Sequence, residues 1–203
     1  YINSGSGACV QNRATDAEDG GGTVYINGGT FTSNDANTTN NSISGTLYIN
    51  GGLITSLSGN AVRNYSTGTI NISQTDKPIY ITSLSQTEKP VVVNSSTGII
   101  NISGNKANMC KNNSASTTSG LCVYAEGNKV YNTNTANYAV ANHSDGTINI
   151  NGGTYYGGYV GISNHQSGIV NIKNAKVESG MRPIVLFRAS TTNICNSNIS
   201  YFT

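Results

Sequence analysis

Three carboxylates crowd one short stretch of the chain, Asp16, Glu18 and Asp19, directly before Gly20-Gly21-Gly22. Carboxylate oxygens beside a glycine turn suit a hard cation, so the cluster could coordinate Ca²⁺ or stand as a solvated acidic turn. No other cofactor is suggested. His143 and His165 each follow an asparagine directly, and Asp145 lies two residues beyond the first. Two imidazoles and a carboxylate could bind a transition metal, while stacking of like residues in a repeat explains the same spacing without one. Tyr1, Tyr25 and Tyr48 recur at a nearly constant interval. Stacked outward, they would offer flat apolar area with polar tips to a sugar or a protein surface, or merely stabilise a sheet. The remaining acids, among them Asp35, Asp76, Glu88 and Glu178, fall at unlike positions, so no matched pair for glycosidic cleavage emerges.

What must position these residues is a repeat. Gly-Thr-x-x-Ile-Asn-Gly-Gly begins at Gly22, Gly45 and Gly146, with weaker copies at Gly68, Gly98, Gly120, Gly168 and Ser190. Self-similarity at such an interval is the signature of a solenoid. Two residues after each start stand Val24, Leu47, Ile70, Ile100, Cys122, Ile148, Val170 and Thr192. Four residues after it stand Ile26, Ile49, Ile72, Ile102, Tyr124, Ile150, Ile172 and Ile194, with polar residues or tyrosine between. Alternation of this kind predicts a half-buried strand. A second apolar column (Phe31, Ile54, Tyr155, Val177, Ile199) and a third apolar run before each next glycine complete the unit. The expected fold is all-β: a parallel β-helix with three short strands per coil and about nine coils of roughly 22–23 residues.

An independent ladder agrees with this register. Asn41, Asn64, Asn94, Asn142 and Asn164 each stand four residues before a glycine start. Asparagine tolerates the backbone of a sharp turn, and its amide can hydrogen-bond up and down a stack. With these features the chain resembles the right-handed parallel β-helix (pectin-lyase-like) superfamily, which holds pectate lyases, polygalacturonases, phage tailspikes and the shafts of bacterial surface adhesins. The resemblance covers nearly the whole chain. It implies the handedness and the fold, but not one activity, because the fold carries enzymes, spikes and inert fibres alike.

Residues 1–203 read as one solenoid, since no linker divides them. Tyr1-Ile2-Asn3 aligns with Tyr25-Ile26-Asn27, so the chain is expected to open inside a strand, as a segment of a longer polypeptide would. Eleven basic and nine acidic residues leave no basic stripe, which argues against nucleic acid, and no apolar run is long enough to cross a bilayer. Cys122, aligned with Ile and Val, reads as a buried thiol. A Cys110–Cys122 disulfide fits the sequence separation, but their unlike coil positions place them apart. Low charge and outer faces rich in Asn, Thr and Tyr suggest an extracellular or cell-surface setting. The expected role is a non-enzymatic structural or adhesive fibre segment of bacterial type. Its partners would be a host or environmental glycan, a protein surface, or neighbouring copies. A polysaccharide-cleaving enzyme and a filament subunit stacking end to end are the alternatives.

Overall fold

The computed structural model describes residues 1–13, 21–85, 89–107, 110, 119–125 and 137–201. Every named element among them is a β-strand, and all the strand pairings are parallel. A thirteen-stranded sheet contains two runs. The first run pairs Thr69–Ser73, Ile99–Gly104, Thr147–Gly152, Ile169–Lys173 and Thr191–Cys195 in that order. The second pairs Ile79–Ser83, Leu121–Ala125, Thr154–Gly157, Lys176–Ser179 and Asn198–Tyr201. Two long strands, Thr23–Ser33 and Thr46–Ser56, serve both runs. A separate seven-stranded sheet runs from Val10–Asn12 through Thr39–Asn41, Val62–Asn64, Val92–Asn94, Tyr138–Asn142 and Val160–Asn164 to Arg182–Leu186. Stacked parallel strands in curled sheets of this kind are compatible with a β-solenoid.

Alternation sets the faces. In Thr69–Ser73, Ile70 and Ile72 are fully buried, while Thr69, Asn71 and Ser73 are half-buried on the outer side. Ile26, Ile49, Ile72, Ile102, Ile150 and Ile172 all point into one core. Each such side chain contributes about 1.5–3 kcal/mol by leaving water. Ile194 continues the column in register with Ile172, yet it is 49% exposed because Thr191–Cys195 is an edge strand. Thr46–Ser56 bends from one run to the other at Gly51-Gly52. Gly52 holds φ +114°, and a Cβ there would sit 2.6 Å from the Gly29 carbonyl oxygen, so only glycine fits this corner.

The pairing corrects three expectations. Leu121–Ala125 pairs with Ile79–Ser83 and Thr154–Gly157, so Gly120 does not begin a first-run strand; Ile99–Gly104 pairs directly with Thr147–Gly152 instead. Cys122 and Tyr124 therefore leave the columns assigned to them, and Val123 takes the inward position, opposite Ile81 and Tyr155. Ile2 pairs with Phe31, so the opening residues lie on the second run and not beside Ile26. Cys110 and Cys122 are disulfide-bonded, with Cα atoms 5.4 Å apart. The bond forms because Cys122 faces outward from the second run, where Cys110 joins Tyr80, Tyr124 and Tyr156 in a second apolar cluster outside the sheet.

Candidate functional site

Two sets of asparagines organise the surfaces that could meet a partner. The inner set closes strands of the smaller sheet: Asn41, Asn64, Asn94, Asn142 and Asn164 are all buried. Each Nδ2 donates to the carbonyl of the glycine four residues on, at 2.7–3.1 Å. Asn41 also donates to Asn64 Oδ1 at 3.2 Å, Asn64 to Asn94 Oδ1 at 3.3 Å, and Asn142 to Asn164 Oδ1 at 3.2 Å. The Asn142 Oδ1 has no partner, so the inner ladder is interrupted between Asn94 and Asn142. Asn12 plays the same part, donating to the Gly22 carbonyl at 2.9 Å. Sequence reasoning missed it because ten residues, rather than four, separate this pair. The recurrent glycine follows from the amide: a Cβ at Gly98 would overlap Asn64 Nδ2 of the neighbouring level.

The outer set lies on the solvent side of the first run. Tyr25 and Tyr48 stack with ring centres 4.8 Å apart and planes 8° from parallel. Asn71 follows Tyr48 in register. From there Asn101 donates to Asn71 at 2.9 Å, Asn149 to Asn101 at 2.9 Å, Asn171 to Asn149 at 2.8 Å and Asn193 to Asn171 at 2.7 Å. Tyrosine and asparagine thus form one outward column seven strands long. A carboxamide has two N–H donors and two acceptor lone pairs. Within the column an amide spends one of each, which leaves one donor and one acceptor for a ligand. The sequence signal was the asparagine three residues after five of the repeat starts. A companion column runs from Asn196 through Asn174 to Asn151, with bonds of 2.8 and 2.9 Å.

Tyr1 is 83% exposed and stands before Ile2, which pairs with Phe31, so it is not the third member of the tyrosine stack. Stacking also turns the faces of Tyr25 and Tyr48 toward each other. What they offer outward is ring edges, hydroxyls and the uncovered side of Tyr25, which is 61% exposed.

His143 and His165 come together, with ring centres 4.7 Å apart and planes at 72°. Phe187 stacks on His165 at 4.3 Å, and Tyr138 meets His143 edge-on at 6.4 Å. Desolvation, then His165, then Arg63 push the His143 pKa down to about 4. Desolvation, then Arg188, hold His165 below the ordinary range. Both rings are therefore neutral near pH 7. Asp145 does not complete a ligand set, since its Oδ1 accepts the Ser167 backbone N–H at 3.1 Å. Among the described residues no three His, Cys, Asp or Glu side chains gather to hold a metal. Asp16, Glu18 and Asp19 lie outside the described residues.

At the corner after the first run, a cleft of about 480 Å³ is lined by Gln74, Ser103, Asn105, Lys106, Asn151 and Asn174, with glycines between. It holds amides and one cation, and none of its lining residues is an acid. No helix of the described residues is long and apolar enough to cross a membrane. No family model, no curated protein and no solved structure matches this chain.

Proposed function

We propose that this chain is a right-handed β-helix with three strands per coil, of the pectin-lyase-like kind its repeats resemble. In this reading it serves as a non-enzymatic structural or adhesive rod, and the face carrying Tyr25, Tyr48 and the outer asparagines meets a glycan. The observation that carries the reading is the unbroken outward column of tyrosines and bonded amides. Its spare donors and acceptors recur at a strand spacing of about 4.8 Å, and they complement the hydroxyls of a chain lying along the stack. Fixed backbone pairing makes that array rigid before the ligand arrives, which limits the ordering cost of binding. With Gly120 removed from the series, the coil count is nearer seven than nine. The Cys110–Cys122 bond supports an extracellular or cell-surface setting, because disulfides persist in oxidising compartments.

The test has two arms. A glycan array and titration calorimetry should show binding that Asn149→Ala weakens and that replacing Tyr25 and Tyr48 together by Ser weakens further. Incubation with acidic and neutral polysaccharides should release no oligosaccharide. Cleavage abolished by changing a single acid, Asp145 or Glu178 for example, would overturn the reading in favour of an enzyme.

A further inference from the structure

A different corner carries a second feature, on the turn that follows each inner asparagine. Tyr65, Ser95, His143, His165 and Phe187 sit at the same place, one residue past the ends of successive strands of the smaller sheet. Each donates its backbone N–H to the previous level's inner asparagine carbonyl at 2.8–2.9 Å. The line spans four strand spacings, about 19 Å. Arg63 lies over the Tyr65 ring at 3.4 Å and donates from Nε to Ser95 Oγ at 3.2 Å. At the other end Arg188 donates to Gln166 Oε1 at 2.9 Å, next to the His165–Phe187 stack. Two arginines thus bracket two imidazoles. Among the described residues the one acid on these turns, Asp145, is engaged by the Ser167 N–H.

We propose that this stripe, from Arg63 to Arg188, binds a linear polyanionic glycan such as a sulfated or uronic-acid chain laid along the stack. Guanidinium groups at both ends of a straight edge, against a single described carboxylate between them, favour a polyanion through release of its counterions. The ring geometry selects against single-stranded nucleic acid, which needs open aromatic faces for its bases. Here Phe187 covers His165, and Arg63 covers Tyr65. The histidines add a pH response. The groups facing His143 are Tyr138, His165 and Arg63, and those facing His165 are His143, Phe187 and Arg188. Desolvation, with the cationic neighbours, holds both rings below their ordinary pKa until an anion arrives. A bound anion offsets that repulsion and favours protonation, so by linkage acidification tightens binding. The proposal does not rest on the tyrosine face.

The experiment is titration of the full protein with a heparin-derived oligosaccharide at low salt, at pH 7.5 and pH 5.0. Binding should be about twofold or more tighter at pH 5.0 than at pH 7.5: raising the His143 pKa by roughly one unit from about 4 gives about a factor of two at pH 5.0, and His165 adds to it. Arg63→Gln with Arg188→Gln should weaken it about tenfold at both values, the scale of a lost charge-assisted contact. Arg188→Gln alone, at an exposed site, should weaken it in a protein whose melting is unchanged. His143→Gln with His165→Gln should keep the neutral-pH affinity and lose the gain in acid. The tyrosine double variant should bind heparin like the parent, which separates this proposal from the outer-face reading. Absence of heparin binding at pH 5.0, or wild-type binding by Arg188→Gln, would overturn the proposal. Single-stranded DNA of equal charge binding as tightly as heparin would overturn the choice of glycan, and an acid gain that survives loss of both histidines would overturn their role.

Discussion

Replacing Asn64 by Ala tests whether the inner amides hold the stack or merely occupy its turns. Asn64 makes three side-chain bonds: it accepts from Asn41 at 3.2 Å, and donates to the Gly68 carbonyl at 2.9 Å and to Asn94 Oδ1 at 3.3 Å. The losses are unequal. Asn41 Nδ2 keeps the Gly45 carbonyl, and the Gly68 carbonyl keeps the Ile99 N–H, so neither is stranded. Asn94 Oδ1 loses this donor inside a fully buried site. Three net bonds at about 0.5–1.5 kcal/mol each, one with an unsatisfied partner, place the cost at about 2–3 kcal/mol. Asn142 is the internal control. It donates to Gly146 and Asn164 and reaches the Ile169 carbonyl only at 3.5 Å, the weak limit of a hydrogen bond, while its own Oδ1 has no partner. Asn142→Ala should therefore cost less than Asn64→Ala by about 1 kcal/mol, the value of one bond. Asn64→Asp should cost more than either, because it sets a carboxylate against two oxygens. Urea denaturation followed by circular dichroism measures the series. An Asn64→Ala variant within about 0.5 kcal/mol of wild type, or an inverted order of the two alanine variants, would refute the reasoning.

Ile72→Asp should leave little folded protein, since it places an unpaired charge at a fully buried position of the core; native-like dichroism and solubility would contradict the packing. Thiol titration of the unreduced, denatured protein should find two reactive cysteines of four, Cys9 and Cys195. Cys110→Ser should lower stability by about 2–3 kcal/mol, and four free thiols would show the bond to be absent. For His143, the folded pKa of about 4 lies below the unfolded value of 6.5. The folded state thus binds fewer protons between those values, so stability should fall as pH drops through that window and level off below it. Because the ring reaches solvent, the effect should be about 1 kcal/mol or less, and His143→Asn should flatten it.

Much of this architecture was legible because its physics is local. Ile70, Ile72, Ile100 and Ile102 alternate with polar residues, and a half-buried strand can be read from that pattern alone. The Asn64–Gly68 spacing was legible for the same reason, since the amide and its carbonyl partner sit on one turn. Gly120-Leu121-Cys122-Val123-Tyr124 misled because both runs of the large sheet alternate with the same period. Alternation says that a segment is a strand, but not which run it joins, and it leaves the inward face open. Only the pairing of Leu121 with Ile79 decides. Tyr1-Ile2-Asn3 failed likewise, as three residues matched a motif whose partner lay elsewhere. The disulfide and the cluster around Tyr80 were hidden by the same error. The outward asparagine column was present as spacing, but its meaning depends on rung-to-rung bonds that no single repeat contains. The Arg63–Tyr65 contact pairs two residues on one strand end, and its line with His143 exists only once the strands are stacked.

The parallel stacking has a mechanical meaning. Bonds that join one strand to the next point along the stack, so a load applied along it pulls on them in line and opens the stack one level at a time. Gly146 and Gly168 bound a level of 22 residues, which would release roughly 75 Å of extended chain. The stretch from Gly98 to Gly146 is 48 residues long and would yield about twice that, except that the Cys110–Cys122 bond withholds the 12-residue separation it closes. Under tension the protein would lengthen in steps of 22 to 30 residues with one long step near its middle, and the redox state of a single bond would set the length of that step.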